Sequence, residues 1–184
     1  MKKNFLLLIL MLLPLMGSAD PVEINGIRYN LISKAKIAEV TIGIPSYRGN
    51  VVIPQTIIYD GITYNVTRIG DYAFNDDSSL TSISIPNSVM SIGTMAFGNC
   101  KGLTSVIISD IAAWCMIRFS DYDSNPLKYA HHLYLNGSEV KKISIPNGVT
   151  SIEDYAFNGC TDITSVIIPK SIINIGRAAF SGCI

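Results

Sequence analysis

A unit of 23 residues recurs along this chain, and few folds can accommodate such a period. One copy begins at Pro146, and its landmarks return 23 residues later as Pro169, Ile175, Phe180 and Cys183. Residues 86–108 hold the same unit, and an earlier copy keeps the phase at Ile69, Phe74, Leu80 and Ile83. A fixed period of this length is typical of solenoids, in which each unit packs only against its neighbours.

Each copy predicts one short strand followed by a change of chain direction. Val106 and Ile108 alternate with their neighbours as the residues on one face of a strand do. A proline follows most of these segments and ends the strand, because it cannot donate to a β-ladder. The sequence therefore predicts a β-rich repeat solenoid of 23-residue coils, with one parallel strand per coil at residues 80–85, 103–108, 140–145 and 163–168.

Two further positions of the unit carry structural predictions. A phenylalanine follows an alanine in every copy, which predicts one buried column of rings formed by Phe74, Phe97, Phe157 and Phe180. A glycine follows the recurring isoleucine in three copies, but Glu153 takes this position in another. The position therefore does not require a left-handed backbone.

The first residues have the three parts of a secretory signal peptide. Lys2 and Lys3 precede an apolar stretch over residues 5–16, and Gly17-Ser18-Ala19 supply small residues for a cut before Asp20. The apolar stretch is shorter than the roughly 20 residues that span a bilayer. Residues 1–19 are predicted to be a cleaved signal, with an uncleaved membrane anchor as the alternative. Export to the cell surface or the extracellular space follows from this prediction.

The charge of the chain argues against nucleic acid as a partner. The full chain has 14 basic and 14 acidic residues, and removal of Lys2 and Lys3 leaves a formal charge of about −2. No basic field is therefore available to attract phosphates. No later stretch approaches 18 apolar residues, so no membrane span is predicted after signal cleavage.

Residues 20–54 precede the regular repeats and are predicted to form an N-terminal β-hairpin cap. Apolar and polar residues alternate around Asn25-Gly26, a strong hairpin signal. Such a cap would cover the open strand edge of the first coil. The solenoid is then assigned to residues 55–184, with a second hairpin turning at Asp60-Gly61.

Residues 109–145 break the period and form a divergent unit. Ser109 and Pro146 are 37 residues apart. A short helix is predicted within residues 111–119 and a hairpin across residues 133–145, turning at Asn136-Gly137. This unit holds the aromatic residues that could anchor a partner, which are Trp114, Tyr122, Tyr129 and Tyr134. Trp114 lies in an apolar stretch, so a core position is the alternative for it.

The repeat resembles the BspA-like leucine-rich-repeat family of bacterial surface proteins. The residues that carry the likeness are IPNSVMSIGTMAFGNCKGLTSV and IPNGVTSIEDYAFNGCTDITSVIIP. It covers roughly residues 50–184, and the segment VEINGIRYNLI is similar to the family's N-terminal strand region. The resemblance implies a curved repeat scaffold, export, and adhesion or protein binding, with host extracellular-matrix or cell-surface proteins as the expected partners.

Catalytic and metal chemistry find little support in the sequence. His131 and His132 are adjacent, so on a strand they would point to opposite faces and could not readily chelate one ion. No His-x-x-x-His or Cys-x-x-Cys pair and no Gly-x-Ser-x-Gly motif occurs. The serines recur at repeat positions, which indicates scaffold geometry. The chain is therefore predicted not to be an enzyme and to have no cofactor, metal site or catalytic residue.

The cysteines follow the repeat as well. Cys100, Cys160 and Cys183 share one position, which Asp77 occupies in the first copy, whereas Cys115 lies in the divergent unit. The prediction is free thiols packed in the interior. A bridge between Cys160 and Cys183 in adjacent coils is the alternative, because disulfide geometry tolerates that separation.

The outward residues of the strands form the predicted interaction surface, because solenoids bind partners along such a sheet. Because side chains alternate between the two faces of a strand, eight residues are predicted to point outward, with Tyr134 beside them. They are Ser82, Ser84, Ser105, Ile107, Lys142, Ser144, Ser165 and Ile167. The alternative is a plain ladder that any repeat consensus would produce. The leading hypothesis is a protein-binding or adhesion module. A structural fragment of a longer array is the runner-up. Self-association through the open C-terminal edge is a separate prediction.

Overall fold

The computed structural model describes residues 20–183, so the predicted signal peptide lies outside the described residues. The chain up to residue 92 contains the strands β1 (Val22–Ile24), β2 (Ile27–Ile32), β3 (Ile37–Val40), β4 (Gly49–Val52), β5 (Thr56–Tyr59), β6 (Ile62–Ile69), β7 (Leu80–Ser84) and β8 (Ser91–Ile92). Among residues 20–183, no helix has the length and apolar character needed to cross a membrane.

The second half of the chain alternates short strands with two short helices. Its elements are β9 (Ser105–Ile108), α1 (Ile111–Cys115), β10 (Arg118–Phe119), α2 (Leu127–Ala130), β11 (Leu133–Leu135), β12 (Ser138–Glu139), β13 (Lys142–Ser144), β14 (Ser151–Ile152), β15 (Ser165–Ile167) and β16 (Asn174–Ile175). The helix α1 begins where the Asp110 carboxylate accepts hydrogen bonds from the Ala112 and Ala113 amides. Such a cap satisfies amides that have no partner within the helix.

The strands stack as the ladders of a β-solenoid, which confirms the predicted fold class. One sheet has the order β1, β2, β3, β6, β8, β10, with β5 also paired to β6. A second has the order β12, β11, β9, β7, β4, and the pairs β13–β15 and β14–β16 complete the ladders. Successive coils pair in parallel, as β7 does with β9 and β13 with β15. Each regular coil thus contributes one strand to each side of the solenoid.

The divergent unit contributes its own strand to the ladder. The prediction of a hairpin across residues 133–145 was partly wrong, because β11 pairs antiparallel only with the two residues of β12. β11 continues the ladder beside β9, and Lys142–Ser144 forms β13 in a separate sheet with β15. The turn between β11 and β12 does use Asn136 and Gly137, both with positive φ. The divergent unit therefore interrupts the strand ladder after β11.

The phenylalanine rings form two stacked pairs and not the single predicted column. The rings of Phe74 and Phe97 lie 5.0 Å apart, and those of Phe157 and Phe180 lie 5.3 Å apart. The divergent unit separates the pairs, because the Phe97 amide bonds to the Asp123 carbonyl at 3.1 Å and no phenylalanine follows at that level. Phe180 is only half-buried, whereas the other three rings are fully buried.

A left-handed backbone flanks each of these rings. The residues two positions before them have φ between 49° and 63° and are Tyr72, Met95, Tyr155 and Ala178. The residues two positions after them are also left-handed and are Asp76, Asn99, Gly159 and Gly182. The glycine that follows the recurring isoleucine has no positive φ, as predicted. A Cβ on Gly93 would collide with the Asp71 backbone of the preceding coil, so close approach explains glycine there.

Both hairpins predicted near the N-terminus are present. β1 and β2 pair antiparallel around Asn25-Gly26, and β5 and β6 do so around Asp60-Gly61. Tyr47, which the repeat pattern did not reveal, extends the first ring pair, with its ring 4.8 Å from that of Phe74. Its amide donates to the buried Asp77 carboxylate at 3.2 Å. Burial raises the pKa of Asp77 above its ordinary value. The role of residues 20–54 as a cap stays a prediction.

Candidate interaction surface

The candidate surface is the outward side of the strands β4, β7, β9, β11, β13 and β15, termed the strand face. The inward residues Ile83, Val106 and Leu133 lie in register and are fully buried. Because side chains alternate along a strand, the residues on either side of these three point outward. The register therefore fixes two outward rows along the face.

The first part of the strand face brings five predicted residues together. Ser82 lies opposite Ser105, and Ile107 lies between Ser84 and Tyr134. Ser84, Ser105, Ile107 and Tyr134 are half-buried. Ser82 is only 9% exposed, and its hydroxyl donates to the Asn50 side chain at 2.9 Å. Ser84, Ile107 and Tyr134 thus form one row, termed the Tyr134 row.

The second part of the strand face contains the other four predicted residues. Lys142 lies opposite Ser165, and Ser144 lies opposite Ile167. All four are exposed, and the apolar side chain of Ile167 is 64% exposed. The strands β11 and β12 lie between Ser105 and Lys142, and β13 pairs with β15 in a separate sheet. The structure therefore places the nine predicted residues in two groups and not on one continuous ladder.

The predicted aromatic anchors divide between surface and core. Trp114 is 1% exposed, and its indole N–H donates to the Ala156 carbonyl at 2.8 Å. It therefore cannot contact a partner, and the core position is confirmed. Tyr122 is exposed beneath the Lys128 ammonium, which lies 4.2 Å from its ring centre. The Tyr129 hydroxyl bonds to the Asp123 carboxylate at 2.9 Å, so it belongs to a local polar network.

That network holds Asp123 in its ionised form. Burial acts to raise the pKa of Asp123, but hydrogen bonds from Lys128 and Tyr129 outweigh it and lower the pKa below its ordinary value. Tyr129 also accepts a hydrogen bond from the Asn99 amide at 3.0 Å. The network thus links the divergent unit to the preceding coil. It leaves Tyr134 and Tyr122 as the aromatic residues of this unit with the most freedom to contact a partner.

A second polar group lies at the edge of the strand face, between its two parts. The His132 Nδ1 lies 3.1 Å from the Glu139 Oε1 and within hydrogen-bond distance of the Asp162 carboxylate. Lys141 Nζ lies 3.5 Å from the second Glu139 oxygen. The hydrogen bond with His132 is the main cause that lowers the pKa of Asp162. Sequence reasoning missed this group, because its members come from three separate segments of the chain.

All four cysteines, which lie within residues 20–183, are free thiols. Cys100, Cys115 and Cys160 are fully buried, and burial raises the pKa of each thiol to about 12. Cys183 is half-buried, less than predicted, and burial raises its pKa as well. The Cys100 Sγ donates to the Phe74 carbonyl at 3.0 Å. The recurring cysteine is therefore a small packed residue, and at Cys100 and Cys183 its thiol bonds to the backbone of the preceding coil.

We expect the thiols to differ in reactivity. In the folded protein at pH 8, iodoacetamide should modify Cys183 at least about tenfold faster than the other three cysteines, because the thiolate is the reactive form and burial suppresses it. Mass spectrometry of timed samples measures this order. In denaturant without a reducing agent, all four thiols should be modified. A chain that accepts only two labels there would contain a disulfide and would contradict the structure.

The C-terminal edge of the described region is apolar. The exposed isoleucines of this edge are Ile167, Ile168, Ile173 and Ile175. Among the strands that the structure describes, β15 pairs only with β13, and β16 pairs only with β14. An uncovered strand edge can pair with another chain. Self-association through this edge stays a prediction.

Comparison with known protein families identifies the same class of repeat protein that the fold and the 23-residue unit indicate. The family model described as the BspA type leucine rich repeat region matches residues 55–121 and 129–184, in six copies. The chain belongs to this family. The matched ranges include the coils on both sides of the break in the ladder. No curated protein matches the chain.

Two solved structures illustrate the likeness. A leucine rich cell surface protein from Faecalibacterium prausnitzii is 25% identical, with a TM-score of 0.53 over 89% of this chain and 46% of the other. A leucine-rich repeat protein from Bacteroides ovatus is 28% identical, with a TM-score of 0.49 over 88% of this chain and 45% of the other. The chain thus spans less than half the length of these two proteins.

Proposed function

We propose that the chain is exported and acts as a protein-binding or adhesion module at the bacterial surface or outside the cell. The observation that carries this proposal is the Tyr134 row, in which a tyrosine and an isoleucine lie side by side on a regular sheet. Membership of the BspA-type family and the likeness to a protein described as a cell surface protein support the location. Partner contact occurs along the strand face and not in a deep pocket.

Apolar contact supplies the affinity in this proposal. The near-neutral charge of the chain provides no strong field to attract a partner. Serine contributes little to interface energy, whereas tyrosine is among the residues that most often dominate it. Tyr134 and Ile107 are half-buried, so their side chains are partly ordered before contact. Such ordering reduces the entropy that binding costs. Host extracellular-matrix or cell-surface proteins are the partners we propose.

The alternative function is structural. The exposed isoleucines at the C-terminal edge favour a role as part of a longer array, in which further coils or a second copy of the chain cover them. In that case the strand face would bind no ligand of its own. The two functions predict different binding results. Substitutions on the strand face should weaken binding if the chain is a binding module, whereas a structural chain should show no binding to weaken.

The test is binding to a panel of immobilised extracellular-matrix proteins, measured by surface plasmon resonance. The double variant Tyr134→Ala with Ile107→Ser should bind at least about tenfold more weakly than the wild type, since each tenfold corresponds to about 1.4 kcal/mol and a central tyrosine contributes that much or more. The matched control is Tyr59→Ala with Ile58→Ser, which removes the same groups from the exposed strand β5 of the other sheet.

The outcome separates the two functions. Equal weakening in both double variants would indicate a loss of structure and not of a site, and circular dichroism would show it. Unchanged binding by a folded Tyr134→Ala, Ile107→Ser protein would place the site elsewhere. Absence of binding to every protein of the panel would favour the structural role.

A further inference from the structure

We propose that His132, Glu139 and Asp162 form a binding site for a divalent first-row transition metal, with Zn²⁺ the best fit. The three ligand atoms, one nitrogen and two carboxylate oxygens, lie within 4.8 Å of one another. Zinc bonds to such atoms at about 2.0–2.2 Å, which places its ligands about 3.3 Å apart. Small rotations of the side chains would bring the three atoms to that spacing. The site is independent of the proposed function.

The arrangement of acceptors around one nitrogen points to a cation. Both the Glu139 and the Asp162 carboxylates approach the same atom, His132 Nδ1. An imidazole nitrogen carries one proton at most, so it can donate one well-directed hydrogen bond and cannot serve both acceptors fully. A metal ion in place of that proton would accept the nitrogen lone pair and bind both carboxylates. It would also offset the repulsion between the two negative charges.

The backbone around the three residues is held in place. The His132 carbonyl accepts a hydrogen bond from the Val106 amide at 3.0 Å. Glu139 pairs with Tyr134 across the β11–β12 hairpin, and Asp162 precedes the buried Ile163. The three ligands therefore come from a strand start, a hairpin arm and the next coil. An ion at this position would join the divergent unit to the coil that follows it, across the break in the ladder.

The chemical types of the three ligands determine which metal ions the site should prefer. One imidazole and two carboxylates suit Zn²⁺ and its neighbours, whereas Ca²⁺ and Mg²⁺ prefer sites made only of oxygen. Three protein ligands leave one tetrahedral position for water. The Lys141 ammonium beside Glu139 competes with the ion for one carboxylate. This competition predicts an affinity in the micromolar range, weaker than that of a closed structural zinc site.

The test is isothermal titration of the purified, EDTA-treated protein with ZnCl₂ at pH 7.5, in the presence of millimolar Mg²⁺. We expect one ion per chain, and at least tenfold weaker binding in His132→Asn and in Asp162→Asn. The matched control is His131→Asn, because His131 bonds to the Gly159 carbonyl and not to the cluster. Asparagine tolerates the left-handed backbone of that residue, whose φ is 62°. This control should retain wild-type affinity.

Thermal melting separates a site from general disruption. Saturating Zn²⁺ should raise the melting temperature of the wild type and of His131→Asn but not of His132→Asn. If His132→Asn does not fold, Glu139→Gln replaces it, since the amide keeps the size of the side chain and removes its charge. Wild-type protein that binds no zinc below 100 µM would overturn the proposal. Equal losses in the His131 and His132 variants would overturn it too, since they would indicate adventitious binding by a histidine pair.

Discussion

Phe157→Ala should lower the free energy of unfolding by about 3–5 kcal/mol, the usual cost of truncating a buried phenylalanine. Phe157 is fully buried, and its ring stacks on that of Phe180 with an angle of 6° between the planes. The solenoid has a narrow interior, so neighbouring side chains have little freedom to fill the space that the ring leaves. Chemical denaturation followed by circular dichroism measures the change.

The matched control for this variant is Ile173→Ala. Ile173 lies in the coil that follows Phe157 and is 86% exposed, so its truncation should change stability by less than about 0.5 kcal/mol. A loss below about 1 kcal/mol for Phe157→Ala would show that the ring is not part of a tightly packed pair.

Trp114→Ala should be comparably destabilising, by about 3–5 kcal/mol, while Trp114→Phe should cost only about 1–2 kcal/mol. The smaller ring retains most of the apolar contact, including that with Phe119, whose ring lies 5.5 Å away. The Ala156 carbonyl loses the indole donor but keeps a second one, because the Asn125 side chain also donates to it at 3.3 Å. An acceptor that keeps one partner avoids the full penalty of burial without a hydrogen bond.

Thermal and denaturant unfolding of the two variants, with Met116→Ala as an exposed control, would measure this difference. Equal losses for Trp114→Phe and Trp114→Ala would mean that the hydrogen bond, and not the packing of the ring, dominates. No measurable loss in Trp114→Ala would contradict the core position of the indole.

The regular coils could be predicted from the sequence because a fixed period determines register. Once the phase of Phe74 and Ile83 is known, each later copy places the same residue types at the same level of the stack. Alternation then separates inward residues such as Val106 from outward ones such as Ile107. These predictions depend only on local periodicity and on contact between neighbouring coils. The two hairpins could be predicted for the same reason, because Asn25-Gly26 and Asp60-Gly61 are turn signals that depend only on adjacent residues.

The parts that the sequence did not reveal depend on contacts between residues far apart in the chain. Trp114 contacts the carbonyl of a residue 42 positions later. His132 bonds to Asp162, and Tyr47 bonds to Asp77. In both pairs the two residues are 30 positions apart in the sequence. No period relates such pairs, because at least one member lies outside the regular coils. The break in the ring column has the same origin, since the divergent unit offers Asp123 and Ser124 at the level where a regular coil has Ala-Phe.

The division of the strand face by β12 has a consequence for affinity. The second part of the strand face is the exposed group of Lys142, Ser144, Ser165 and Ile167. A partner that contacts both this group and the Tyr134 row must bind two short sites joined by a folded scaffold. Once the first contact has formed, the second becomes intramolecular, with an effective concentration that the fixed spacing determines. Two weak contacts can then yield tight binding, but only for a partner whose own two segments match that spacing. Multivalency of this kind would let a surface of serine and isoleucine discriminate among ligands by geometry.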